Sequence, residues 1–131
     1  MFGKVFGVSV IVFVIGWIWY GPLFGKIWMK LSKIPASDIA KSRKNGMRNR
    51  IILNFVGTFI MVWVFAKLLT SIAVVSAIAG AITGFWIWLG FFAAATLLGA
   101  VLWENKPWGL FVLNGLYWLI SLLVMGTLLV A

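Results

Sequence analysis

Any chemistry in this chain has to come from a short set of side chains. Asp38 and Glu104 are its only carboxylates, and it has no His and no Cys. Glu104 stands beside Lys106 where an apolar stretch gives way to a turn, a setting for a helix-dipole contact or an ion pair rather than for proton transfer. Pro35-Ala36-Ser37-Asp38 has the composition of a turn in which Ser37 or Asp38 caps a following helix. With no base near a nucleophile and no paired carboxylates, neither an acid–base pair nor an activated nucleophile can be assembled. Metal ligation fails on the same count, and haem held through His is excluded. The residues therefore assign no catalytic group, no metal and no cofactor, and the chain reads as a non-enzyme.

The remaining polar and aromatic groups suit binding better. Asn54 and Asn114 are the most polar side chains inside long apolar runs, placed to hydrogen-bond each other or the backbone near Gly21-Pro22. Trp17, Trp19, Tyr20, Trp28, Trp103 and Trp108 fall close to the ends of those runs, as an interfacial aromatic belt does. Trp86, Trp88, Tyr117 and Trp118 lie deeper, where their N–H and O–H groups need partners. With Asn114 they form a candidate pocket for a lipid or another hydrophobic ligand; plain helix packing is the simpler account of the same rings.

These groups are carried on elements that only a membrane accommodates. Of the 131 residues 64% are hydrophobic and 10% charged, against about a quarter charged in a soluble globule. Crossing roughly 30 Å of hydrocarbon takes about 20 apolar residues, and four stretches suffice: 5–24, 51–69, 72–102 and 108–131. The first has no small-residue cleavage site and is read as a retained span, not a signal peptide. Between Ile51 and Trp103 the one charge is Lys67, close enough to a span end to snorkel. The third stretch is too long for one straight crossing and must tilt or bend, with Gly80, Gly84 and Gly90 as flexible points.

Between the first two spans lies a basic loop, 25–50. Pro22 should end or bend the first helix near the surface. Beyond it Phe24, Ile27, Trp28 and Leu31 share one helical face, and Lys26, Lys30 and Lys33 another, the pattern of a short amphipathic helix lying in the interface. Lys41, Arg43, Lys44, Arg48 and Arg50 complete the loop's charge. Most of the net charge of +9 belongs to this membrane-adjacent stretch. Its partners are therefore anionic lipid headgroups, with no nucleic acid expected. Nine of the eleven Lys and Arg fall on the side of this loop, counting Lys106, and Lys4 and Lys67 fall on the other. The positive-inside rule then puts the loop in the cytoplasm and both termini outside an inner (plasma) membrane.

Gly80-Ala81-Ile82-Thr83-Gly84 is a GxxxG pattern, and Ala73 and Ala77 extend it as a stripe of small residues. Such a stripe lets two helices approach closely, either inside one bundle or between two copies of the chain.

The motifs also carry a resemblance. Trp19-Tyr20-Gly21-Pro22-Leu23-Phe24-Gly25-Lys26-x-Trp28-Met29, then Trp88-Leu89-Gly90-Phe91, then Trp103-Glu104-Asn105-Lys106-Pro107-Trp108 with Leu110-Phe111 and Asn114-x-x-Tyr117, resemble the domain-of-unknown-function 1761 family. The resemblance spans nearly the whole chain. It implies a four-span helical membrane protein and supplies no activity.

The sequence thus describes one membrane domain over 1–131: all-α, an integral membrane four-helix bundle with a short interfacial amphipathic helix after the first span. Its expected role is a non-enzymatic binding or interaction module, either a homo-oligomer or an accessory subunit of a membrane complex, with a lipid or other hydrophobic ligand. The alternative is a small transporter or channel.

Overall fold

A computed structural model of the protein describes residues 2–32 and 47–130, and every element among them is helical. We label the helices α1 (Phe2–Leu23), α2 (Gly25–Ser32), α3 (Met47–Ser71), α4 (Ala77–Trp103) and α5 (Trp108–Val130). Four of them, all but α2, are long and apolar enough to cross a membrane. Their outer faces are apolar too: Leu53, Ile78 and Phe91 are 70%, 75% and 82% exposed. Apolar surface on that scale has no place in water. The protein is an all-α, multi-pass membrane protein.

Six hydroxyls within the spans are satisfied locally. The hydroxyls of Ser9, Thr58, Thr70, Ser71, Thr83 and Thr127 each donate to the carbonyl four residues earlier, at 2.7–3.0 Å. In lipid, where water cannot take a donor, this local bond lets a hydroxyl lie inside a span.

The end of α1 shows how Pro22 is accommodated. An α-helix would drive the proline ring into the carbonyl four residues back. The backbone instead widens into a π turn over Trp19–Leu23, and the Phe24 amide reaches the Trp19 carbonyl at 2.9 Å. The chain then turns at Phe24 into α2. Gly25 is required there, because a Cβ would sit 2.7 Å from the Tyr20 carbonyl oxygen. The expected amphipathic helix is present, with Lys26 and Lys30 exposed and Phe24, Trp28 and Leu31 turned partly inward. Lys33 and the turn at 35–38 lie outside the described residues.

α4 begins later than the apolar run. Ser76 caps it by accepting from the Ala79 amide at 3.2 Å. Ile72 to Val75, counted from sequence as part of the span, form the turn after α3 instead. Ala73 has a positive φ of 57° there, so it does not extend the small-residue stripe. α4 is an α-helix to Ile87 and then widens into π turns over Trp88–Ala93 and Leu97–Trp103.

The helices pack in the order α3, α1, α5, α4, with α5 central and also touching α3 and α2. Gly80 and Gly84 face α5 within the same chain. A Cβ on Gly80 would collide with the Gly126 carbonyl, one on Gly126 with the Gly80 carbonyl, and one on Gly84 with the Leu122 carbonyl. Around this seam lies the core: Val5, Val12, Val62 and Met125 are 0–1% exposed, with Phe65, Ala66, Leu69 and Leu122 beside them. This cluster lies toward the end of the bundle that carries Lys67, while Val101 and Leu113 are buried apart from it.

Candidate functional site: a cavity at the Arg50 end of the bundle

The opposite end is hollow. A cavity of about 710 Å³ lies among all the helices. α1 lines it with Phe13, Gly16, Trp17, Tyr20 and Gly21, and α2 with Trp28. From α3 come Arg50, Ile51, Asn54 and Thr58; from α4, Phe92 and Thr96; from α5, Asn114, Tyr117 and Trp118. α3 and α4 share no substantial interface, yet both contribute to the lining. Of the helices lining the cavity, these two long ones close little against one another.

Aromatic rings prop the cavity open. Trp28, Tyr20, Tyr117, Trp118 and Phe92 follow one another with centroids 5.9, 5.2, 4.9 and 5.9 Å apart, linking α2 to α4 through α1 and α5. Most of these contacts are tilted or edge-on, the arrangement that ring quadrupoles favour. Gly16 makes room for them, since a Cβ there would lie 2.7 Å from the Tyr117 hydroxyl. Trp19 packs on Phe24 at 4.6 Å behind this row.

The polar groups are mostly donors. Tyr20 donates its hydroxyl to Asn114 Oδ1 at 2.5 Å, which leaves the Asn114 amide N–H groups directed elsewhere. On α3, Arg50, Asn54 and Thr58 recur every fourth residue and so lie along one face. They descend about 12 Å at about 1.5 Å per residue. Thr58 is committed to its own helix, bonding the Asn54 carbonyl at 2.9 Å. No carboxylate lines the cavity among the described residues.

The residues expected at a pocket are divided by this geometry. Asn114, Tyr117 and Trp118 line the cavity together. Trp88 does not; its indole N–H donates to the Gly115 carbonyl at 2.8 Å, so it is a strut between α4 and α5. Trp86 is also absent from the lining, being 62% exposed on the outer face beside Phe85. Asn54 and Asn114 do not bond one another; they bond Thr58 and Tyr20 respectively. Trp17, Tyr20 and Trp28, assigned above to the interfacial belt, turn out to be cavity residues. So do Phe13, Phe92, Thr58 and Thr96, which sequence reasoning passed over. The readable signal was the four-residue spacing of Arg50, Asn54 and Thr58 in an otherwise apolar helix.

Of the basic residues, Lys26, Lys30, Arg48 and Arg50 are exposed at this same end, and Lys106 joins them. Lys41, Arg43 and Lys44 lie outside the described residues. At the far end, Lys67 Nζ lies 4.6 Å from the Trp63 ring centroid, a cation–π contact that lets a lysine stay near the membrane boundary.

Fold and cavity together define a small multi-pass membrane bundle, closed at one end and hollow at the other. The chain belongs to the family described as protein of unknown function (DUF1761), whose model matches residues 4–130. No curated protein and no solved structure matches it.

Proposed function

We propose that the protein is a non-catalytic binding module of the membrane, which receives a lipid or other hydrophobic ligand in the cavity at its Arg50 end. The observation that carries this reading is the cavity itself. Its volume falls within the ~300–1,000 Å³ typical of small-molecule sites, which are likewise mostly apolar with a few placed polar groups. The described residues facing it favour holding over reacting: rings, amides, hydroxyls and the Arg50 guanidinium, none of them arranged as a nucleophile with its base. A transporter or channel would also need a path through the Lys67 end, where Val5, Val12, Val62 and Met125 are sealed from solvent. Because Gly80 and Gly84 are taken up by α5, any self-association or membrane-complex contact would have to use another face.

Native mass spectrometry of the protein released from mild detergent tests this reading. The wild type should retain a co-purified hydrophobic molecule. Thr96→Phe, which projects a ring into the cavity from α4, should lose it without loss of helix content. Retention unchanged in Thr96→Phe would place the ligand elsewhere and end the proposal.

For orientation, the exposed cations at the Arg50 end support a cytoplasmic placement of that end in the inner membrane, where Lys26, Lys30, Arg48 and Arg50 meet anionic headgroups. A Cys in place of Lys106 should be protected from an impermeant thiol reagent in intact cells, and one in place of Lys4 should react. The reverse pattern inverts the topology.

A further inference from the structure

We propose that the cavity selects an acidic glycerophospholipid, with its phosphate at Arg50 and its ester carbonyls on the side-chain amides of Asn54 and Asn114. This rests on the ligand-binding reading above and names the class of ligand.

Three features of the cavity converge on that class. First, the groups it offers are donors in want of acceptors. Arg50 brings a guanidinium, which suits phosphate oxygens through paired N–H donors. Asn114 has its oxygen engaged by Tyr20 and keeps its amide N–H groups. Asn54 adds a second amide, its oxygen 3.5 Å from the Thr58 hydroxyl. With no carboxylate among the described residues of the lining, a ligand rich in oxygen acceptors and carrying negative charge fits.

Second, the donors are graded by depth. Arg50 and Asn54 are one helical turn apart, about 6 Å along α3, comparable to the glycerol that separates a phosphate from its first ester. Below Asn54 the walls turn aromatic, with Phe13, Phe92 and Trp118 suited to an acyl chain.

Third, size and access match a lipid drawn from the bilayer. At roughly 30 Å³ for each water-sized group, about 710 Å³ holds on the order of 24 such groups. That accommodates a phosphoglycerol and one chain. The second chain leaves between α3 and α4, two long helices of the lining that share no substantial interface.

The test uses the full chain in nanodiscs containing equal phosphatidylglycerol and phosphatidylcholine, with retained lipid read by native mass spectrometry after release. The wild type should retain phosphatidylglycerol in preference by about tenfold, the scale of one charge-assisted hydrogen bond. Arg50→Gln should abolish the preference, Arg50→Lys should restore part of it, and Arg48→Gln, a neighbouring exposed cation outside the lining, should leave it intact. Asn54→Leu should weaken retention of both lipids, and it tests the carbonyl contacts even if Arg50→Gln fails to fold. Equal retention of the two lipids by the wild type overturns the inference, as does an Arg48→Gln effect equal to that of Arg50→Gln. Displacement of phosphatidylglycerol by equimolar oleate also overturns it, since a fatty acid then carries the recognised chemistry. All three outcomes leave a ligand-binding cavity standing. If no lipid or oleate is retained at all, the broader reading falls with this one.

Discussion

The two ends of the bundle solve the same packing problem in opposite ways. At the Lys67 end α4 and α5 meet backbone to backbone at Gly80 and Gly126, and the side chains around them are sealed. At the Arg50 end the same two helices carry Phe92, Tyr117 and Trp118, α4 widens into π turns, and a cavity opens. Lipid tails are as apolar as leucine, so helices in a bilayer gain little from burying apolar area against each other. What closes a membrane bundle is close van der Waals approach, and that depends on small residues. Where the close glycine contacts end and the rings begin, the two helices touch less. The contrast between backbone contact at Gly80, Gly84 and Gly126 and large rings further along one helix pair thus separates a structural end from a binding end.

The sharpest way to break this contrast is to remove the glycine contact. Gly80→Leu should cost on the order of 3 kcal/mol, the upper part of the overpacking range, because the neighbouring atom is backbone and cannot swing aside. Thermal melting followed by helical circular dichroism should show a large drop. A melting curve like that of the wild type would mean the closed end is not held by this seam.

A paired truncation sharpens the comparison. Met125→Ala, at a fully sealed position, should cost about 2 kcal/mol, the low end for such a change in a soluble core, since the reference state in lipid is itself apolar. Phe92→Ala, at the wall of a space already open, should cost about half as much or less, because little new cavity is created. Equal losses at the two sites would remove the distinction between a filled end and a hollow one.

The smallest effect concerns the polar tie across the hollow end. Tyr20→Phe removes the bond to Asn114 and should cost about 0.6 kcal/mol, the average for interhelical hydrogen bonds in membranes. A loss beyond about 2 kcal/mol by the same melting assay would make this pair a structural fastener rather than part of a loosely tied site.

Some of this was legible before any coordinates. The four spans, the break at Pro22 and the basic amphipathic helix after it all follow from length, local composition and one imino acid. The start of α4 was placed too early because Ile72 to Val75 are as apolar as the helix they precede; the deciding signal was Ser76, whose hydroxyl caps the Ala79 amide. Assigning the pocket rings went further astray. Trp86 and Trp88 are two residues apart on one helix and so point in different directions, one to lipid and one to the Gly115 carbonyl. Neither reaches the cavity, while Trp28 reaches it from a separate helix.

The sequence by itself determined that this protein lives in a membrane, how many times it can cross, and where its charge collects, because hydrophobic length and charge position are local properties. It also determined that a close seam would use Gly80 and Gly84, since only residues without bulk permit one. Only the tertiary structure decided that α5 fills that seam and that the other end is hollow. It alone brought Tyr20, Arg50, Asn54 and Asn114 to one space. In a soluble protein the apolar stripe of each helix reveals which face turns inward. In lipid both faces are apolar, that periodicity is erased, and the rotation of each helix becomes visible only when its neighbours are in place.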